Sequence, residues 1–144
     1  THSAAALCGA TAEQAEALRT FGDHLGVAFQ LVDDLLDYRG DAETLGKNVG
    51  DDLAEGKPTL PLIYTMREGT PEQKALVRKA IQKGGIEDLE SIRDAVEASG
   101  SLDYTAQLAR DYVARAIKCL DAIPASEYRD ALVELRQFAV ARTH

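Results

Sequence analysis

Tryptophan is absent from this sequence, methionine occurs once, and aromatic residues make up only 6% of it. Strands draw heavily on aromatic and β-branched side chains, so this shortage, with abundant Ala and Leu, points to packed helices. Cysteine is nearly absent too. Cys8 and Cys119 form neither a C-x-x-C pair nor a spaced framework, which excludes a disulfide scaffold and makes a reducing compartment, the cytoplasm, the expectation. Each thiol reads as a small buried hydrophobe. No apolar run approaches the roughly 18–20 residues of a membrane span, and no signal peptide opens the chain. Basic residues are the minority, 16 against 24 acidic ones, and the net charge of -8 speaks against nucleic acid or an anionic membrane surface as partner. A polyphosphate ligand stays compatible if metal ions and local lysines reverse the sign where it binds.

What is present suits one globular domain, since 144 residues with 45% apolar content can enclose a real core. Residues 1–10 read like the end of a helix closing at Gly9, a chain entered in its middle. Thr11 and Gln14 form a capping box that predicts a helix running to about Tyr38. Gly22 and Gly26, four apart on it, predict a close helix approach, and His24 reads as structural rather than as a ligand. Pro58-Thr59-Leu60-Pro61 opens a helix ending at Gly69. Thr70 and Gln73 cap another that Gly84-Gly85 stops near Lys83. Residues 86–99 are amphipathic through Ile86, Leu89, Ile92 and Val96. Ser101 is expected to cap a helix with Leu102, Leu108, Val113, Ile117 and Leu120 as core. Ser126 caps a final helix carrying Leu132, Leu135 and Phe138. With no strand pattern, the expected fold class is all-α, a helical bundle.

One stretch stands apart. Phe29-Gln30-Leu31-Val32-Asp33-Asp34-Leu35-Leu36-Asp37-Tyr38 places three acids in an apolar helical run. Leu25, Phe29, Val32 and Leu36 have the spacing of a buried stripe. Asp33 and Asp37 stack on one face, with Asp34 about a hundred degrees round from Asp33. Like charges so placed repel by roughly 0.2–0.5 kcal/mol on an exposed helix, and by more where apolar neighbours strip their water. Most short acidic runs are a solvated helix face, but here the flanks are apolar almost all round. A hard divalent ion sharing its shell with phosphate oxygens would settle these charges. The glycine and alternating acids of an EF-hand loop are missing.

Residues 39–57 break the helical period. Gly40, Gly46, Gly50 and Gly56 punctuate a polar, charged segment that reads as a mobile loop with one short turn, of a length that is usually functional or disordered. Lys47 and Lys57 are the first two lysines of the chain, both close in sequence to the acids. Together with the glycines they suggest a flap that clamps an anion. Asp51, Asp52 and Glu55 read as a helix start or as loop ion-pair partners, not as a second metal site.

The string Phe29-Gln30-Leu31-Val32-Asp33-Asp34-Leu35-Leu36-Asp37, with Leu45-Gly46-Lys47 and Gly50-Asp51-Asp52 and then Glu55-Gly56-Lys57-Pro58-Thr59-Leu60-Pro61, resembles the second aspartate-rich region of trans-isoprenyl diphosphate synthases. Together with residues 69–73 it is most similar to the bacterial octaprenyl diphosphate synthases. A lone D-D-x-x-D is a weak signal; the combination is specific. The resemblance covers all 144 residues, strongest in 21–66. It implies residues 1–144 to be the C-terminal part of the isoprenoid synthase fold, with the N-terminal half and its first aspartate-rich motif not represented. It implies head-to-tail condensation of isopentenyl diphosphate with an allylic diphosphate into a long-chain all-trans product, used for quinone side chains. Asp33, Asp34 and Asp37 would hold Mg2+, Lys47 and Lys57 the allylic diphosphate, and Phe29 and Gln30 would line the condensation site. Asp33, Asp34, Lys47 and Gln30 are thus the candidate catalytic residues.

With one aspartate-rich motif, the 144-residue polypeptide is expected not to turn over alone, and a homodimer is expected of the full-length protein. Three other readings compete: a shorter-chain farnesyl or geranylgeranyl synthase, a non-catalytic subunit of a hetero-oligomeric synthase, and a terpene cyclase. The three mutually repelling acids speak against the idle subunit, and the Gly-Lys and Glu-Gly-Lys-Pro features against the cyclase.

Overall fold

The computed structural model describes the backbone of residues 1–39, 57–83 and 89–141, and their side chains apart from 2, 83 and 136–141. All regular structure among the described residues is helical: α1 (His2–Leu7), α2 (Ala12–Arg39), α3 (Leu60–Glu68), α4 (Pro71–Lys83), α5 (Leu89–Ala98), α6 (Ser101–Cys119), a 3-10 turn (Leu120–Ala122) and α7 (Glu127–Ala141).

The helix starts are written in short polar signals. At Thr11 the backbone N–H donates to Gln14 Oε1 at 3.1 Å while Gln14 N–H donates to Thr11 Oγ1 at 3.2 Å, a complete capping box. Thr70 and Gln73 repeat it ahead of α4, at 2.8 and 3.3 Å. Ser126 Oγ accepts from Arg129 N–H at 3.2 Å at the head of α7. Gly9 and Gly100, at φ +70° and +76°, turn the chain after α1 and α5 in the left-handed region that glycine enters without a Cβ penalty.

The chain divides into two compact units. One comprises Leu31–Ala106. Its core joins Leu35 and Tyr38 of α2, Leu62 of α3, Val77 and Ala80 of α4, Ile92 and Val96 of α5, and Leu102 and Ala106 of α6. Leu35, Leu62 and Ile92 are completely buried, each worth about 1.5–3 kcal/mol relative to exposure. Hydroxyls tie the helices where apolar contact ends: Thr65 Oγ1 donates to the Pro61 carbonyl and meets Ser99 Oγ, both at 2.9 Å.

The other unit comprises Thr1–Gln30 and Gln107–His144. Phe21, Leu25, Ala116 and Leu120 form its core, with Leu132, Val133 and Leu135 of α7 packed against them; Ala28 and Val113 form a smaller cluster.

Several expectations are corrected. Ser101 is the first residue of α6 rather than its cap: the first helical bond runs from Tyr104 N–H to Gly100 O, and Ser101 Oγ donates back to the Val96 carbonyl at 2.8 Å. Leu108 is only half-buried, and Ala109 and Ala116 take the enclosed positions, because small side chains let a neighbouring helix come close. Gly22 faces the Thr1 side chain, whereas Gly26 is exposed with nothing described within 4 Å of a built Cβ. Cys8 is exposed, and Cys119 is half-buried against the Phe21 cluster. His24 rests against the Tyr112 ring, centroids 5.7 Å apart. The Gly84-Gly85 stop and Ile86 lie outside the described residues, and so does the side chain of Phe138.

Candidate functional site

The burial pattern of α2 decides which face its acids share. Phe21, Leu25, Ala28, Leu31, Val32, Leu35 and Tyr38 are buried, a stripe at steps of three and four. Phe29 and Leu36 do not belong to it: Phe29 is 38% exposed and Leu36 half-buried. The small Ala28 takes the inward position that spacing alone gave to Phe29. Phe29 and Gln30 are therefore surface residues, and by helical register Asp33 and Asp37 follow on the same face, one and two turns later.

Asp34 lies on another face, three residues from Leu31 and four from Tyr38, and is 6% exposed. Asp33 is exposed; Asp37 is half-buried, with its Oδ2 closed off from solvent. Sequence reasoning found the three acids but not which one is enclosed.

All three sit in the last two turns of a helix that ends at Arg39. Backbone dipoles leave a partial negative charge at that end, so carboxylates there are placed against the field, at a cost of roughly 0.3–1 kcal/mol for one within the last turn. Arg39 is the favourable residue at this terminus, and its guanidinium donates to Asp103 at 3.0 Å.

Lys57 is exposed, and its carbonyl accepts from Thr59 N–H at 2.9 Å just before α3 begins. The Tyr38 hydroxyl lies 3.3 Å from Thr59 Oγ1, a buried contact between residues 21 apart. No local spacing announces that pair. Lys47 lies outside the described residues, together with Asp51, Asp52, Glu55 and the glycines of the expected flap.

The donor set suits a hard divalent cation, because it offers carboxylate oxygens without thiolate or imidazole. Among the described residues no three His, Cys, Asp or Glu side chains converge as a metal cage. Magnesium is commonly held by one or two carboxylates together with phosphate oxygens and retained waters. The aspartates fit as one wall of such a site. No helix among the described residues is long and apolar enough to cross a membrane.

The helical fold, with its longest helix ending in three acids, defines the class: this chain belongs to the polyprenyl synthetase family, whose family model matches residues 1–99. Among curated relatives, it is 50% identical over 137 residues to the octaprenyl diphosphate synthase of Escherichia coli (strain K12), covering 94% of this chain and 42% of that protein. It is 49% identical over 142 residues to the all-trans-nonaprenyl-diphosphate synthase (geranyl-diphosphate specific) of Rhodobacter capsulatus, covering 99% and 43%. Among solved structures, a polyprenyl synthase from Caulobacter crescentus CB15, complexed with calcium and isoprenyl diphosphate, superposes with a TM-score of 0.88 at 43% identity. The match covers 99% of this chain and 44% of that one. The chain thus spans less than half the length of these relatives.

Proposed function

We propose that this chain is the C-terminal part of a long-chain trans-polyprenyl diphosphate synthase domain, of octaprenyl class, that condenses isopentenyl diphosphate with an allylic diphosphate. The observation that carries this reading is the placement of Asp33, Asp34 and Asp37 at the electrostatically unfavourable end of α2, with Asp34 enclosed. The calcium and isoprenyl diphosphate held by the Caulobacter relative support it. The near-equal identity to an octaprenyl and a nonaprenyl synthase supports a long chain more firmly than any one length.

Asp33, Asp34 and Asp37 would hold Mg2+, which when bound would supply positive charge to offset that of the diphosphate. Lys47 and Lys57 bind the same diphosphate and offset the charge that develops on it. Phe29 and Gln30, exposed on the turn preceding the acids, line the space where the allylic cation meets the alkene. A proton then leaves to the departing diphosphate. The product serves quinone side chains, and the full-length protein is a homodimer.

The test is calorimetric titration of the chain with Mg2+ and inorganic pyrophosphate. Binding that needs both, and that disappears in Asp34→Ala, is the expected result. Pyrophosphate binding that is absent, or indifferent to Mg2+ and Asp34, would overturn the reading. Product length is read by chromatography of the prenyl chain formed from labelled isopentenyl diphosphate by the full-length protein.

A further inference from the structure

Thr59 stands at the N-cap of α3, in the extended conformation usual there (φ -71°, ψ 162°), yet its side chain makes no capping hydrogen bond. A threonine so placed ordinarily accepts from an N–H of the first turn, and losing that bond costs a helix about 1 kcal/mol. Its hydroxyl instead meets the buried Tyr38 hydroxyl at 3.3 Å. Thr59 and Tyr38 are 3% and 2% exposed, so this contact is shielded from competing water. Tyr38 directly follows Asp37 and is four residues, one turn, beyond Asp34. Thr59 is two residues after Lys57, and its N–H is bonded to the Lys57 carbonyl. A hydroxyl that could have capped α3 thus ties the end of the acid-bearing helix to the backbone that presents Lys57.

We propose that Tyr38 and Thr59 form a positioning clasp that sets Lys57 in register with the aspartates of α2, so that lysine and acids act on a single metal-bound diphosphate. This rests on the function proposed above. Neither hydroxyl needs to touch the ligand; Tyr38 acts through the helix end that carries Asp37, and Thr59 through the backbone that carries Lys57. Arg39 and Asp103, joined at 3.0 Å, give the same helix end a second, exposed tie.

Pyrophosphate titration at saturating Mg2+ tests the clasp on the 144-residue chain and five variants. Tyr38→Phe and Thr59→Val each remove one hydroxyl at nearly constant shape and are expected to weaken pyrophosphate binding by roughly two- to ten-fold, the span of one hydrogen bond. Their far-UV circular dichroism should be unchanged. Thr59→Ser keeps Oγ and should bind like the parent. Thr65→Val breaks a part-buried hydroxyl contact of α3, to Ser99, and should lower thermal stability while leaving pyrophosphate affinity intact. Parental affinity in Tyr38→Phe and Thr59→Val, with binding abolished in Asp34→Ala, would overturn the clasp and leave the function standing. An equal loss in Thr65→Val would also overturn it, tracing the effect to general stability. A parent chain that binds no pyrophosphate with Mg2+ would remove both proposals together.

Discussion

Single residues of one type behave differently here because their surroundings differ. Cys8 is exposed, whereas Cys119 is half-buried and its thiol donates to the Arg115 carbonyl at 3.3 Å. Burial, and secondarily the negative charge of Asp121, pushes the Cys119 thiol above its ordinary value. The thiolate is the nucleophile, so iodoacetamide at neutral pH should modify Cys8 faster than Cys119, by about tenfold or more. Peptide mass spectrometry of a time course checks the order; equal rates would contradict it. The same contrast separates the acids. Asp33, Asp34 and Asp37 look alike in the sequence, but Asp34 is the enclosed one. Helical spacing alone does not report which acid is enclosed.

Elements were far more legible than burial. The Thr11–Gln14 and Thr70–Gln73 boxes, the stops at Gly9 and Gly100 and the Ser126 cap involve groups within about one turn of each other, so local sequence decides them. Replacing Thr70 with Ala should cost about 1 kcal/mol, measured by urea denaturation. A pH effect belongs to the same helix end. The Glu72 carboxylate accepts from its own backbone N–H and then from the Thr70 hydroxyl, which holds it below its ordinary value of 4.5. A depressed acid contributes its stabilisation fully above pH 4.5 and loses it as the pH falls through the lowered folded value. Acidification should therefore fray the start of α4, and Thr70→Ala should move the Glu72 carboxyl titration, followed by NMR, back toward 4.5. Where local signals competed, the sequence misled. Ser101 has a capping residue's chemistry, but its hydroxyl turns to Val96, a choice set by how α5 and α6 meet.

On the scale of the whole molecule, each of the two units has a core to fill among the described residues. Ile92 is completely buried in the unit spanning Leu31–Ala106. Ile92→Ala should destabilise the protein by about 2–5 kcal/mol, seen as a lower denaturation midpoint. Ligand linkage gives a second global readout. If the aspartates hold a metal-bound diphosphate, Mg2+ with pyrophosphate at about a hundred times the dissociation constant should add about 2.7 kcal/mol of stability and raise Tm. Asp34→Ala should abolish that rise, and a persisting rise would place the ligand elsewhere.

The sequence by itself determined the all-helical class, most helix boundaries, the acid-rich end of α2 and the family resemblance, because each of these is local or is carried by residue identity. Only the tertiary structure decided that Ala28 rather than Phe29 faces inward, that Asp34 is the buried acid, and that Tyr38 meets Thr59 across 21 residues of sequence. Those outcomes depend on which surfaces pack together. Packing is settled by shape and volume between distant segments, and helical period and residue type do not encode it position by position.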